Sequence, residues 1–391
     1  MTPSNRRNFL KLSGLSILPA ILPVSNLFAA DNSDGPSFAD EARVDFLGDG
    51  KMFDPAEYIQ TLQQINATAA IEKDRYGTGG AVAALEKKFE TITGKEKAVF
   101  MPSGTLANQL AISVLSGENT KVFVQDLSHV YRDEADAAQS IFNKRLMPLA
   151  KDEICFTAES LKQAVESLEE QEAFKSGIGA VSIENPVRRS DGRMIPIAEI
   201  KKISQYCRAN QIKLHLDGAR IYMAAAWSGV SIKEYASYFD TIYISLYKYL
   251  GAAAGAVLCG EKAVMDKMPH LLKIHGGSMY GNWANAAMAL HRLDGLETRL
   301  QNVMKQTEEL FAALNKISGI KISPLTNGTN IYQLQLSKEV DGKKMQTLLR
   351  TQYNIRMPLP VKNNQLLLSV NETLFNRQND FIINAFKKAI V

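Results

Sequence analysis

Sulfur chemistry has little to work with here: three cysteines in 391 residues, Cys155, Cys207 and Cys259. An odd number of widely separated cysteines makes no disulfide framework, and the spacing is not that of a metal site. Each lies in or beside an apolar run, as a buried free thiol does. Net charge is also low. The formal value is +4, and Arg6, Arg7 and Lys11 supply three of those charges, with no acid before Asp31. Beyond residue 30 the balance is about +1, and no basic patch remains to attract nucleic acid. The apolar stretch Leu12 to Val24 contains two prolines and falls short of the ~20 residues that a membrane-crossing helix needs. Internal repeats and low-complexity segments are missing too. What remains, 46% hydrophobic and 22% charged residues, is the composition of a soluble globular protein. The length suits one large domain plus a smaller one.

The N-terminus reads as a targeting signal. Asn5-Arg6-Arg7-Asn8-Phe9-Leu10-Lys11 resembles the twin-arginine export motif and makes residues 1–30 a candidate signal peptide; the alternative is a frayed basic tail. Ala29-Ala30 offers small residues for cleavage, but Phe28 suits the −3 position poorly. Retention as an uncleaved membrane tether therefore stays open. The resemblance implies the twin-arginine machinery as a partner and a periplasmic or otherwise exported destination. Proteins take that route already folded, often with a cofactor inserted.

Residues 31–64 are expected to form an N-terminal arm, polar and extended from Asp31 to about Arg43. From about Ala81 helical spacing alternates with short apolar runs. Helices are predicted over Ala81–Thr93, Thr105–Leu115 and Ile197–Arg208. Strands are predicted at Ala98–Phe100, Lys121–Val124, Ala180–Ile183, Lys213–Leu216, Thr241–Ser245 and Ala256–Cys259. Such alternation indicates βαβ units, so an α/β class with a mainly parallel sheet is expected over residues 65–290. Residues 291–391 read as a small α+β domain, introduced by one long bridging helix from Ala284 to about Ile317. Strands follow at Ile320–Pro324, Ile331–Leu336 and Gln365–Val370, with helices at Gly342–Gln352 and Leu374–Ile390.

Three motifs fall where strands end. Pro102-Ser103-Gly104-Thr105 lies between a strand and a helix, where free backbone amides and two hydroxyls can hold a phosphate. Taken alone, Ser103 is equally an ordinary N-cap. Asp217, in Leu214-His215-Leu216-Asp217-Gly218-Ala219-Arg220, ends an apolar strand at the sheet edge where α/β proteins bind ligands. A carboxylate there can pair with a protonated ring nitrogen, or it can simply cap the next helix. Lys248 follows the apolar strand Ile242–Ser245 and precedes Gly251 and a run of small residues. Lysines are seldom buried, so this one needs a chemical reason or lies on a surface turn. Desolvation and nearby cations would make its amine nucleophilic. His215, inside its strand, reads as a satisfied core residue.

The order of these motifs resembles the fold-type I pyridoxal 5′-phosphate (PLP) enzymes, specifically the L-threonine aldolase / β-eliminating lyase family. The resemblance covers roughly residues 45–390. It is carried by Asp74-Arg75-Tyr76-Gly77, Pro102-Ser103-Gly104-Thr105, His129 with Glu134, Glu184-Asn185, Asp217-Gly218-Ala219-Arg220, Lys248 and Gly276-Gly277-Ser278-Met279. It implies a seven-stranded, mainly parallel large domain and PLP as cofactor. Lys248 would hold the cofactor as a Schiff base and shuttle protons, and Asp217 would pair with its ring nitrogen. His129 would stack on the ring, and Ser103, Gly104 and Thr105 would hold the phosphate. Arg220 would meet either the ring hydroxyl or the substrate carboxylate. Tyr76 would approach the cofactor, often from a partner subunit, in a homodimer or tetramer with shared sites. The implied reaction cleaves the Cα–Cβ bond of a β-hydroxy-α-amino acid to glycine and an aldehyde. The same cofactor chemistry also serves β-elimination, racemisation or transamination, and a non-catalytic PLP-fold binding protein is a further alternative.

The departures from the family pattern face the substrate. Glu184-Asn185 is followed by Pro186-Val187 where aldolases have Thr-His, and Tyr280 replaces an arginine after the glycine-rich stretch. Tyr247 and Tyr249 flank the lysine in place of Ser and Gly. The strand at Gln365–Val370 lacks the arginine that clamps the substrate carboxylate, which leaves Arg356 as a substitute.

Overall fold

The computed structural model describes residues 43–390, so the N-terminal signal and residues 31–42 of the expected arm lie outside the described residues. The strands are β1 (Val44–Asp45), β2 (Lys97–Met101), β3 (Lys121–Gln125), β4 (Arg145–Leu149), β5 (Ile178–Glu184), β6 (Lys213–Asp217), β7 (Thr241–Ser245), β8 (Ala256–Gly260), β9 (Ile320–Pro324), β10 (Ile331–Leu336), β11 (Ile355–Arg356) and β12 (Gln365–Ser369). Seven of them form the main sheet in the order β2-β8-β7-β6-β5-β3-β4. Only β8 runs against its neighbours β2 and β7, so the other six point the same way.

The strands are near-continuous apolar runs because helices cover the sheet. The main core joins Val82, Leu85 and Phe89 of the helix Gly80–Thr93 to Ile183, Leu216 and Ile244 of the strands. The edge strand β4 escaped the sequence reading. It carries an exposed Arg145 and a proline at position 148, both of which are tolerated only where one side of a strand is unpaired.

A second core surrounds the antiparallel sheet β12-β10-β9 and the helices Leu296–Leu314, Gly342–Tyr353 and Asn379–Ala389. Two expectations are corrected here. The single bridging helix is two, Trp283–Leu293 and Leu296–Leu314, interrupted where Gly295 takes a left-handed φ of 64°. The terminal helix is a 3₁₀ turn, Glu372–Asn376, followed by an α-helix from Asn379.

The arm expectation also changes. Pro55–Thr68 is a helix whose start is set by Asp54, which accepts a hydrogen bond from the Glu57 amide, and by Pro55 in the first turn. None of its residues is fully buried, but Tyr58, Leu62 and Ile65 recur at helical spacing on its half-buried face, a stripe that the expected arm overlooked. Upstream, β1 pairs in parallel with β11 and ties the start of the described chain to the C-terminal region. Among the described residues no helix is long and apolar enough to cross a membrane.

Candidate active site

Because six strands share a direction, the chain leaves β2, β3, β5, β6 and β7 at one edge of the sheet. Those exits deliver Ser103, His129, Glu184, Asp217 and Lys248 to the wall of one cavity of about 300 Å³. This is the carboxyl edge, where open α/β sheets bind ligands.

Gly104 opens the helix Gly104–Ser116, whose first amides have no carbonyl four residues back to bond. Ser103 caps it by accepting from the Leu106 amide at 3.2 Å. A side chain at position 104 would place its Cβ 2.1 Å from the Tyr243 hydroxyl. The loop thus lies tight on Tyr243, with Thr105 also on the cavity wall. Bare amides, two hydroxyls and a positive helix end are what a phosphate needs.

Asp217 ends β6 and is almost fully buried. Its Oδ1 accepts from the Ala219 amide at 3.1 Å and its Oδ2 from Asn108 Nδ2 at 2.9 Å. Asn108 Nδ2 also donates to Glu134 Oε1 at 2.8 Å. Since both carboxylates accept from the amide nitrogen, Asn108 must turn its oxygen to His215 Nε2, 2.9 Å away. His215 therefore donates from Nε2, and its Nδ1 accepts from the Thr241 hydroxyl at 2.8 Å. Burial holds this imidazole neutral, with its pKa down to about 4. His215 is the satisfied core residue expected, and it is also the far end of a chain that leads to Asp217.

His129 is half-buried at the exit of β3. Its amide donates to Glu184 Oε2 at 2.7 Å, and its Nδ1 lies 3.0 Å from Glu134 Oε1. That contact with Glu134 raises the affinity of the imidazole for a proton, and burial raises that of Glu134. The pair is best described as sharing one proton. Glu184 receives a second amide, from Arg188 at 2.9 Å. Burial, then the neighbouring Asp217 charge, pushes Glu184 up to about 7.

Lys248 lies three residues past β7 and is 9% exposed. Burial first, then the positive charge of Arg220, lowers its pKa. A buried amine that sheds its proton readily can form a covalent bond to a carbonyl. The residues fit PLP: an amine for the aldehyde, an acid for the ring nitrogen and a helix start for the phosphate.

Two predicted site residues stand apart from the cavity wall. Arg220 is paired through Nε and Nη2 with Asp49, at 2.7 and 2.8 Å. Tyr76 is half-exposed and meets Tyr280 edge-on at 5.4 Å, with the Lys273 ammonium over its ring. The backbone of Tyr76 has a left-handed φ of 53°, and Asp74 accepts from the Gly77 and Asn282 amides to hold that turn. Residues missed by sequence reasoning include Asn108, Glu134 as a proton partner, Tyr243 and Asp49. A polar pair, Asn108 and Gln109, buried on a largely apolar helix was the available signal.

A buried strand-end lysine beside a strand-end aspartate, facing a phosphate-type helix start on this sheet order, defines the fold-type I PLP enzymes. Comparison with known proteins agrees: the family model described as Beta-eliminating lyase matches residues 56–337. The chain belongs to that family and is a PLP-dependent lyase that resembles the threonine aldolases. It is 33% identical over 279 residues to the low-specificity L-threonine aldolase of Candida albicans, covering 70% of this chain and 72% of that one. It is 30% identical over 203 residues, half of each chain, to the alanine racemase TOXG of Cochliobolus carbonum. Among solved structures, an Exiguobacterium sp. 255-15 protein classed with aromatic amino acid beta-eliminating lyases and threonine aldolases superposes with a TM-score of 0.75. At 24% identity, it covers 90% of this chain and 99% of that one.

Proposed function

We propose that this chain cleaves the Cα–Cβ bond of a β-hydroxy-α-amino acid, releasing glycine and an aldehyde. The observation that carries the reading is that Lys248, Asp217 and His129 line one cavity. Bound PLP would supply an electron sink for the pair that leaves the breaking bond. Asp217, fixed by Asn108 and the Ala219 amide, would pair with the ring nitrogen and hold it in its protonated form. Ser103, Gly104 and Thr105 would receive the phosphate.

Cleavage requires the β-hydroxyl to lose its proton. His129 suits that task, because Glu134 at its Nδ1 stabilises the imidazolium that results and leaves Nε2 as the exchanging nitrogen. Lys248 Nζ would then return a proton to Cα. The assembly proposed is a homodimer or tetramer with shared sites, in which Tyr76 meets the cofactor of a partner subunit. We also propose export by the twin-arginine route, on the strength of residues 5–11 and 12–24.

The test is incubation of the PLP-loaded protein with L-threonine and assay of glycine and acetaldehyde. Equal yields of both, lost in Lys248→Ala, are expected. Neither product from threonine or other β-hydroxy amino acids would reject the reading. A second reading, proton exchange at Cα, is favoured by Val187, which stands where aldolases place a hydroxyl-sensing histidine. It would show as loss of optical activity from alanine or serine without bond cleavage.

A further inference from the structure

Gly104 opens its helix with an ordinary backbone: its φ lies outside the left-handed region, so no turn at this point requires a glycine. What requires it is Tyr243. A Cβ at position 104 would meet the phenol oxygen at 2.1 Å and the ring carbon that bears it at 2.5 Å. The phenol therefore ends at the first turn of the helix Gly104–Ser116, beside amides that no carbonyl four residues back can satisfy. Tyr243 is only 3% exposed, yet it lines the cavity together with Ser103 and Thr105.

The rest of the wall gives that hydroxyl a task. Its charged side chains are Glu184, Asp217 and Lys248, with His129 beside them, and no arginine is among them. With Lys248 taken up by the aldehyde of the cofactor, a phosphate at this helix start depends on neutral donors from this chain. Tyr243 is kept neutral, because burial first, and then the Asp217 charge, raises its pKa well above the ordinary phenol value. Among the described residues only the Ser245 hydroxyl approaches the phenol oxygen as a hydrogen-bonding group. Ser245 itself lacks a partner of ordinary hydrogen-bond geometry, so neither hydroxyl is committed within the protein. Tyr243 also pairs in register with Asp217 on β6, which sets the two side chains next to each other on one face of the sheet. The carboxylate proposed for the ring nitrogen and the phenol thus start from neighbouring positions, and the longer phenol reaches on to the helix start.

We propose that Tyr243 is a further cofactor-binding residue: its phenol donates a hydrogen bond to the phosphate received by Ser103, Gly104 and Thr105. The inference rests on the placement of the phosphate at that loop, and it explains why position 104 is a glycine. A neutral phenol has a proton to give and no charge to repel the anion, and a hydrogen bond to an ionised acceptor is about twice as strong as one between neutral groups.

The experiment compares PLP with pyridoxal, which lacks the phosphate, in equilibrium titrations of the full chain freed of cofactor, together with the phosphorus NMR spectrum of the PLP-loaded protein. Tyr243→Phe removes one oxygen and nothing else. It should weaken PLP by about tenfold or more, leave pyridoxal within about twofold, and move the phosphorus resonance. Tyr243→Met, which also lacks the donor, is the second variant, and a thermal melt establishes that each is folded. Thr105→Val serves as the reference for the loop itself. If Thr105→Val weakens PLP selectively while the folded Tyr243 variants bind both vitamers as wild type does, or lose both equally, the proposal for Tyr243 is overturned and the phosphate placement stands. If no variant separates PLP from pyridoxal, the placement of the phosphate at this loop fails and takes the inference with it.

Discussion

Asn108 and Asp217, 109 residues apart in sequence, are joined by a 2.9 Å hydrogen bond inside the protein. Through it the carboxylate at the end of β6 is linked to a neutral His215 and to Glu134, so one amide orients three ionisable groups. Asn108→Ala should strip a partner from each of them. Leaving buried polar groups unmatched costs about 1–3 kcal/mol. Denaturant unfolding should show a loss in that range, together with weaker PLP binding. An unchanged unfolding midpoint would mean that the relay is not needed for stability.

Gly104 touches Tyr243 where no side chain fits. Gly104→Ala forces a methyl group to within 2.1 Å of the phenol oxygen, so the loop or Tyr243 must move. Overpacking of this kind costs about 1–3 kcal/mol. Because the same loop is proposed to hold the phosphate, the PLP dissociation constant should rise at least about tenfold, while affinity for pyridoxal, which lacks the phosphate, changes little. Fluorescence titration with both vitamers checks this.

Glu86 accepts a hydrogen bond from the Phe100 amide at 2.8 Å, and burial raises its pKa from 4.5 to about 7. Between those values the folded protein keeps a proton that the unfolded chain has lost. The contribution of Glu86 is thus full below pH 4.5 and is lost as pH rises through about 7. Glu86→Gln can still accept from Phe100 and cannot ionise. The stability of wild type relative to this variant should fall across that window and be level on either side, as urea unfolding at a series of pH values would show.

Tyr76 and Tyr280 expose 50% and 69% of their surface beside the half-exposed Met279. In the proposed shared-site assembly they would face a partner, so Tyr280→Asp should shift the sedimentation coefficient toward that of a monomer. Retention of the wild-type oligomer would place the interface elsewhere.

The sheet and the residues it gathers on the cavity wall were legible because each depends on local sequence: a short apolar run, then a residue that the strand carries to the edge. Asp217 and Lys248 needed no knowledge of distant partners. Asp49 did, since its hydrogen bonds to Arg220 span 171 residues and follow from no spacing pattern. Asn108 was legible only as an anomaly on a buried helix face. β4 has the polar and proline residues of an edge and so lacks the periodicity that identifies a strand, whereas the helix Pro55–Thr68 has only a short, half-buried stripe of Tyr58, Leu62 and Ile65, which the arm expectation passed over. Gly295 marked the helix break, yet one glycine in a long helical pattern is weak punctuation.

Everything in the proposed chemistry depends on Lys248 as the residue that bonds the cofactor. The most direct measurement is borohydride reduction of the PLP-loaded protein, followed by proteolysis and peptide mass mapping. One phosphopyridoxyl group per chain, located on Lys248 and missing from Lys248→Ala, is the predicted result. A label on a different lysine, or no label at all, would contradict the account.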